Sequence, residues 1–587
     1  MENLDVARTL EELADLLEIQ GANAFRIRAY RNAVRTVEGL TRPLRVMVEA
    51  GEDLTDLPGI GKDIAGHIAE LVRTGRIARL EEVAADIPRS LVELMRLDGV
   101  GPKKARKLFD TLNVRTVDDL EREVKAGRVE ELEGFGKKSA EKILRSIEHH
   151  RRRVGRFLRE DVEQLIAPLL EHVRGAPGVE RVEVAGSFRR RKETVGDVDL
   201  LALSDGDGTP VVEHFTAYPG AARVEASGGT KGNVVLPSGL SVDLRVIPRR
   251  SFGAALQYFS GSKEHNVATR TRAVRQGLRV NEWGVFRVPE GADPEALGKE
   301  YGERIAGETE EGVYAALGMA WVPPELREKR GEVEAALEGR LPDLVTLEDI
   351  RGDLQMHSTW SDGKASVEEM TRACAARGYA YFALTDHSQA MAMVGGLTPE
   401  RARAQWEEIA EVQRRVPEIR ILRSCEVDIL RDGSLDLPDD IVAGLDVVVV
   451  SVHTLMEMDK AAMTERVLRA VRHPLVDILA HPTGRILNRR EPFAMDVDAV
   501  LAACAEAGVA VEVNANPWRL DLNEVHVRRA VELGCRVVIS TDAHTPRGLE
   551  HMRFGVDQAR RGWVEAKDVV NALPLAEFEA WLARRAR

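Results

Sequence analysis

A chain of 587 residues is longer than one hydrophobic core accommodates and calls for several domains. The formal net charge of −13 excludes a uniformly basic coat, but residues 1–300 carry 48 Lys+Arg against 48 Asp+Glu and the remainder 35 against 48. No run of 18 apolar residues occurs and the acidic start MENLDVARTLEE is not a leader, so a cytoplasmic, membrane-free monomer is expected.

Residues 1–150 read as amphipathic helices joined by short polar turns. A motif recurs in them: LPGIGKDIAGHIAEL from Leu57, LDGVGPKKARKLF from Leu97 and LEGFGKKSAEKIL from Leu132. Each places Gly-x-Gly before a helix start, at Gly59/Gly61, Gly99/Gly101 and Gly134/Gly136. Both glycines of each pair are expected to let the backbone turn tightly and to bring bare N–H groups against a phosphate, with the helix dipole in support. The repeat resembles the helix-hairpin-helix motif, which implies DNA binding without base readout. The basic run Lys137–Arg159 is a further candidate phosphate track.

The first repeat resembles the small N-terminal domain of eukaryotic repair polymerases, whose lysine forms a Schiff base with an abasic sugar. That register puts His67 at the lysine position, and imidazole forms no imine, so lyase activity is not expected. In FRIRAYR, Arg26, Arg28 and Tyr30 are candidates for a 5′-phosphate.

The stretch GSFRRRKETVGDVDLLALS from Gly186 joins a Gly-Ser turn to an alternating strand. Residues i and i+2 share a strand face, so Asp197 and Asp199 point the same way. Two carboxylates on one face repel unless a cation lies between them, which is the arrangement that holds divalent metals for phosphoryl transfer. A bare D-x-D reads as a solvated edge strand; the preceding turn, with Ser187 and Arg190 offered to a phosphate, points to the metal site. Asp243 in LSVDLRVIP is the candidate third carboxylate on a neighbouring strand.

From about Thr346 the composition changes, and eight of the fourteen histidines lie beyond it. His357, Asp362, His387, Glu426, His453, His481, Asp542 and His544 follow strand-like apolar runs that alternate with helical stretches. That is the pattern of a βα barrel, with ligands gathered at strand C-terminal ends. Imidazole with carboxylate suits Zn²⁺, Mn²⁺ or Fe²⁺, and so many ligands imply more than one ion. His473, His526 and His551 fit no motif position, and the scattered Cys374, Cys425, Cys504 and Cys535 read as core thiols.

The Gly186–Ser204 run resembles the nucleotidyltransferase core of the family X DNA polymerases, and LQYFSGSKEHN from Leu256 resembles their Tyr-Phe-x-Gly-Ser turn. The histidine-rich half resembles the polymerase-and-histidinol-phosphatase (PHP) domain. Together these imply a multidomain α+β and α/β chain. Its parts are a helical DNA-binding domain (1–85), a second helix-hairpin-helix domain (86–150), a palm with a mixed β-sheet (151–250), a small thumb (251–322), a linker (323–345) and a distorted (β/α)7 barrel (346–587).

The resemblance makes Asp197, Asp199 and Asp243 the ligands of two Mg²⁺ ions, with Arg245 as companion to Asp243. Ser187, Arg190 and Gly196 fall at the nucleotide, Tyr258 and Phe259 wall its sugar, Gly261 gives the bend and Asn266 reaches the base edge. Lys263 stands where the eukaryotic enzymes carry an acid, and we expect its charge to tighten dNTP binding. Arg270 falls at a template-contacting position and Glu282 at one linked to closing. In the barrel the eight residues above form the ligand set for two or three Mn²⁺ or Zn²⁺ ions, with Gln355 where the family has a ninth ligand. The implied function is short-gap filling in base excision repair on gapped or primer-template DNA with dNTPs, combined with a 3′-5′ exonuclease. The alternative is a PHP phosphoesterase whose polymerase half only positions DNA.

Overall fold

The computed structural model describes residues 3–583 apart from 39, 41–43, 96, 98, 154–155, 290–297 and 299. The chain divides into two units, Met1–Val154 and Gly155–Arg587. The side chains at 145 and 148–153 in the basic run also lie outside the described residues.

The first unit is built of helices and turns, with no strand among its described residues. Leu10, Leu13, Leu16 and Leu17 recur at three- and four-residue spacing along the helix Asn3–Gln20 and are buried against Ala24–Glu38. The three Gly-x-Gly turns share one construction. Their first glycines sit at φ +74, +89 and +87 (Gly59, Gly99, Gly134). The residue between the glycines, Ile60, Val100 or Phe135, is buried and pins the turn to the core.

The second glycines depart from expectation. Gly61 and Gly101 directly precede the helices Lys62–Thr74 and Pro102–Leu112 with extended backbone, at φ −85 and −84. Any residue adopts that conformation, so the tight turn demands glycine at Gly59 and Gly99 and not at Gly61 or Gly101. Gly136, ahead of Lys137–Arg153, likewise lies outside the left-handed region.

In the second unit a five-stranded sheet runs in the order Arg181–Val184, Asp197–Leu203, Ser241–Ile247, Lys231–Val235, Arg223–Gly228. Period-two alternation divides the strand Asp197–Leu203 between two cores. Val198, Leu200 and Ala202 meet the helices Arg159–Arg174 and Thr209–Thr216. Leu201 and Leu203 meet Phe252, Ala255 and Leu256 of the helix Phe252–Ser260. Asp197 and Asp199 continue this second face to the strand's open end, so the fold presents them together.

The three strands Leu278–Asn281, Gly284–Arg287 and Glu303–Ala306 form a small antiparallel sheet beside the helices Lys263–Arg275 and Glu310–Ala316.

Beyond these, seven parallel strands pair in chain order, from Gly352–Asp353 to Val537–Ser540. A parallel bridge between Met356 and Ala543 brings the ends of the first and last strands together. The His357 and Asp542 N–H groups donate across this seam to the carbonyls of Ala543 (2.9 Å) and Gln355 (3.0 Å). The strands are apolar on both faces because helices cover the outside and side chains fill the inside. The four cysteines are free and buried, and no described helix is long and apolar enough to cross a membrane.

Candidate active sites

The strands Asp197–Leu203 and Ser241–Ile247 are parallel, and their register sets Asp199 opposite Asp243 and Asp197 opposite Ser241. The three carboxylates thus share one face of two adjacent strands. Burial pushes the Asp199 carboxyl up to about 6, with the charges of Asp197 and Asp243 adding to the effect and Arg245 and Arg190 opposing it. The turn Gly186–Arg189 is tied to this strand at its start: the Ala185 N–H donates to the Asp199 backbone carbonyl at 2.8 Å.

Arg190 donates from Nε to Glu328 (2.9 Å) and from Nη1 to the Ser260 carbonyl (2.7 Å). Its neighbour Arg189 makes a two-pronged pair with Glu310, which Arg327 shares from below. Three opposing N–H groups hold the Glu310 carboxyl down at about 2, although burial alone would raise it. Ser187 and Gly196 are half-buried around the same turn.

Tyr258 and Phe259 cross edge to face, with centroids 5.1 Å apart. Arg245, expected as companion to Asp243, lies over the Phe259 ring at 4.6 Å, and Arg270 lies over Tyr258 at 5.8 Å while its Nε donates to the Asn266 carbonyl at 3.1 Å. Asn266 differs from expectation in orientation. Its amide is buried, donating to the Tyr258 carbonyl (2.6 Å) and accepting from Gln257 (3.0 Å), so meeting a base requires this turn to open. Lys263 is exposed at the first position of its helix, and Gly261 is buried before it.

In the helical unit the candidate phosphate-binding glycines divide by role. Gly59, Gly99 and Gly134 make the turns. Gly61, Gly101 and Gly136 are exposed, and a β-carbon on any of them would meet no atom within 4 Å. Packing within the unit therefore does not require glycine at Gly61, Gly101 or Gly136. What these positions contribute is a helix start with no side chain over it. His67 accepts or donates at Nδ1 to the Tyr30 hydroxyl at 2.9 Å, and burial shifts its pKa downward.

The barrel gathers all eight expected ligands at one end. Ligand atoms of His357, Asp362, His387 and His544 lie within 4.8 Å of one another, as do those of His387, Glu426 and His453. These are the two such groups among the described residues, and the palm trio is not one of them. His387 joins the groups, 3.6 Å from Asp362 through Nε2 and 3.1 Å from Glu426 through Nδ1. His481 approaches Glu426 at 2.7 Å, and His357 approaches Asp542 at 3.1 Å. His481 and Asp542 both sit at positive φ, 26° and 54°, which L-residues hold only when surroundings impose it.

Protons are divided unequally in this cluster. Burial pushes His387 down to about 4. Burial acts the same way on His453, but Glu426 and Asp428 outweigh it and hold that imidazole up at about 10. Burial would raise Asp362, Glu426 and Asp542, but their neighbouring histidines, joined at Asp542 by Arg519, hold all three low.

The donor set fits divalent ions. Buried Nδ1 atoms of His357 and His481 have no hydrogen-bond partner, and Nδ1 of His387, Nε2 of His453 and Oε2 of Glu426 meet one another's residues only as close ion pairs without hydrogen-bond geometry; buried polar atoms are rarely left so. Both amide atoms of Gln355 are orphaned in the same way, two residues before His357 in the segment that follows the first strand.

A supporting layer of carboxylates went unread in the sequence. Asp386 accepts from Ser358 and Gln405, and Asp428 accepts from the backbone N–H of His453 and lies 3.2 Å from its Nδ1. Glu512 accepts from the His481 N–H and from Asn514, and burial together with the charge of Asp542 pushes its pKa well up. The signal was present for Asp428, which stands two residues after Glu426 on one strand face.

Comparison with known proteins places these sites in context. Family models match for a helix-hairpin-helix domain (1–77), a SAM-like helix-hairpin-helix tandem (91–148), the DNA polymerase beta thumb (255–328) and the PHP domain (353–516). The chain is 38% identical over 586 residues, all of both chains, to the DNA polymerase/3′-5′ exonuclease PolX of Bacillus subtilis (strain 168). It is 26% identical over 321 residues to DNA polymerase lambda of Arabidopsis thaliana, covering 51% of this chain and 57% of that one. A protein named "Probable phosphatase" from Shewanella sp. (strain MR-4) is 31% identical over 225 residues, 36% of this chain and 81% of its own.

Proposed function

This chain belongs to the family X DNA polymerases that carry a PHP domain, and from that premise we propose how its two sites divide the chemistry. It is a divalent-metal-dependent DNA polymerase with an associated 3′-5′ exonuclease, and DNA and deoxynucleoside triphosphates are its substrates. Its task is to fill short gaps during repair.

Asp197, Asp199 and Asp243 hold two Mg²⁺ ions, which when bound lower the pKa of the primer 3′-hydroxyl and neutralise the triphosphate. What supports this reading is the register that sets Asp199 beside Asp243 with Asp197 on the same face. Asp199 must release its proton before it accepts a cation, and Arg245 and Arg190 both favour that release. Ser187 and Arg190 orient the triphosphate, with Gly196 leaving room at the start of the strand. Tyr258 and Phe259, fixed edge to face, exclude a ribose 2′-hydroxyl. The three hairpins grip backbone phosphates, through the turns at Gly59, Gly99 and Gly134 and the bare helix starts at Gly61, Gly101 and Gly136. Arg270 meets the template.

In the barrel His357, Asp362, His387, Glu426, His453, His481, Asp542 and His544 hold two or three Mn²⁺ or Zn²⁺ ions, which when bound polarise a phosphodiester and supply hydroxide at neutral pH. Asp428 and Glu512 orient His453 and His481 from behind.

A crossed pair of variants tests the division. Asp243→Ala is expected to cost gap filling at least about 1,000-fold and spare release of 3′-nucleotides; His387→Ala is expected to do the reverse. Gap filling that survives Asp243→Ala would overturn the palm assignment, and a nuclease indifferent to His387→Ala would overturn the barrel assignment.

A further inference from the structure

We propose that Arg561, on the barrel helix Met552–Arg561, is a positioning residue for the polymerase reaction, holding Arg190 where it meets the triphosphate. The proposal rests on the reading above that Arg190 binds phosphate. Arg561 is 1% exposed in its side chain, and its Nη1 is directed at the palm residue Arg190 and at Glu328, which holds it. Its Nη1 donates to the carbonyl of Arg190 at 2.6 Å and lies 3.3 Å from Glu328 Oε1. That same Glu328 oxygen receives Arg190 Nε at 2.9 Å. Backbone and side chain of Arg190 are therefore both referred to one buried guanidinium that belongs to the barrel.

Arg561 is itself fixed from the far side. Its Nη2 donates to Glu524 at 2.7 Å, and Glu524 also receives Arg330 at 3.2 Å. The arginines hold the Glu524 carboxyl down at about 2 although burial opposes them. One turn earlier on the helix, Asp557 receives Arg191 at 3.0 Å and Arg159 at 2.6 Å. Arg191 has φ +60, so the turn leaves Arg190 through a strained residue whose side chain the barrel helix also grips.

The electrostatics explain why this is more than adhesion between domains. Glu328 is a half-buried carboxylate shared by two guanidiniums. With Arg561 present, its charge is divided, and the Arg190 contacts within the protein run through Nε and Nη1. Without Arg561 a larger share of the carboxylate charge falls on Arg190, with only Lys192 left to divide it, and the Arg190 carbonyl loses its donor. A triphosphate must then compete with Glu328 for a guanidinium that is also less well placed. The neighbouring Arg560 provides the contrast: it joins barrel to linker through Glu325 (2.9 Å) and the Val345 carbonyl (3.0 Å) without touching Arg190.

Steady-state insertion of Mg²⁺-dNTP into a one-nucleotide gap, with full-length protein, tests the assignment. Arg561→Met is expected to raise the KM for dNTP about tenfold with kcat within about twofold, Arg561→Lys to recover part of the loss, and Arg560→Met to leave KM unchanged. Release of nucleotides from single-stranded DNA is the control that the barrel is intact, and should be unchanged in all three. If Arg561→Met fails this control, Glu524→Gln, which releases Arg561 from behind, takes its place in the same comparison. Arg190→Ala separates the two ideas. A raised KM in Arg190→Ala with wild-type KM in the intact Arg561 or Glu524 variant overturns the positioning role alone, as does an equal effect of Arg560→Met. An unchanged KM in Arg190→Ala overturns the phosphate-binding reading on which it rests.

Discussion

Gly186 packs against Asp199 so closely that a β-carbon on the glycine would lie 2.9 Å from Asp199 Oδ2. The turn that carries Ser187 and Arg190 and the strand that carries the acids are thus joined at the one residue type without a side chain. Its φ of +64 makes the same demand independently.

Gly186→Ala should therefore damage the polymerase site twice, by about 1–2 kcal/mol of backbone strain and by displacing the Asp199 carboxylate. We expect gap filling to fall at least about tenfold while the exonuclease keeps its wild-type rate. Steady-state assays of both activities on one preparation check it, and an unimpaired polymerase would show that the carboxylate moves aside without consequence.

The raised pKa of Asp199 makes a prediction about the metal-free protein. The folded carboxyl loses its proton near 6 and the unfolded one near 3.8, so folding favours the protonated form. The resulting stabilisation is complete below pH 3.8, declines as pH rises and is gone above about 6. Asp199→Asn keeps an uncharged group at every pH and should be more stable than wild type in EDTA at pH 7.5, by about 2–3 kcal/mol. The gap should close toward pH 4, and adding Mg²⁺ should stabilise wild type alone. Thermal melts across that range decide it; a gap independent of pH would mean that neither burial nor the neighbouring carboxylates raise the Asp199 pKa.

The hairpin glycines separate folding from binding. Gly134 has φ +87 and Gly136 does not have positive φ, yet neither would meet an atom within 4 Å if given a β-carbon. Gly134→Ala should cost the helical unit about 1–2 kcal/mol through the backbone alone. Gly136→Ala should leave the melting temperature unchanged but weaken binding to gapped DNA several-fold, because a methyl group keeps a phosphate from the N–H groups. The same outcome is expected of Gly61→Ala and Gly101→Ala, whose backbones are extended and whose surroundings are equally open. Wild-type DNA affinity in any one of the three would remove that hairpin from the interface.

Sequence reading carried far where chemistry repeats locally. Period two put Asp197 and Asp199 on one face, and ligands after successive apolar runs announced the barrel. The repeat of Gly-x-Gly located the hairpins but could not tell a glycine needed for its φ, such as Gly59, from one in extended backbone, such as Gly61. Reading stopped altogether where partners are distant. Arg190 meets Glu328 across 138 positions and Arg561 meets the Arg190 carbonyl across 371. No spacing rule selects one acid among 96 for one arginine. The inward turn of Asn266 was equally out of reach, since it follows from a rival hydrogen bond to Tyr258 rather than from residue type. Asp428 is a different case: the alternation that placed the palm acids also puts it on the strand face of Glu426, from which it reaches His453.

Gln355 offers the sharpest test of the barrel. It is 1% exposed, neither amide atom has a partner, and it stands two residues before His357 just past the first barrel strand. An orphaned buried amide costs about 1–3 kcal/mol, so either the site compensates when an ion is present or the position is simply suboptimal. An amide oxygen is a weak ligand for Mn²⁺ or Zn²⁺, whereas imidazole of similar volume is a strong one. Gln355→His should therefore lower the Mn²⁺ concentration for half-maximal exonuclease about tenfold and raise the metal retained after gel filtration, with gap filling unchanged. Metal content measured on the protein alone keeps the test independent of turnover. Retention equal to wild type would place Gln355 outside the ligand sphere and leave its unpaired amide as a cost of folding.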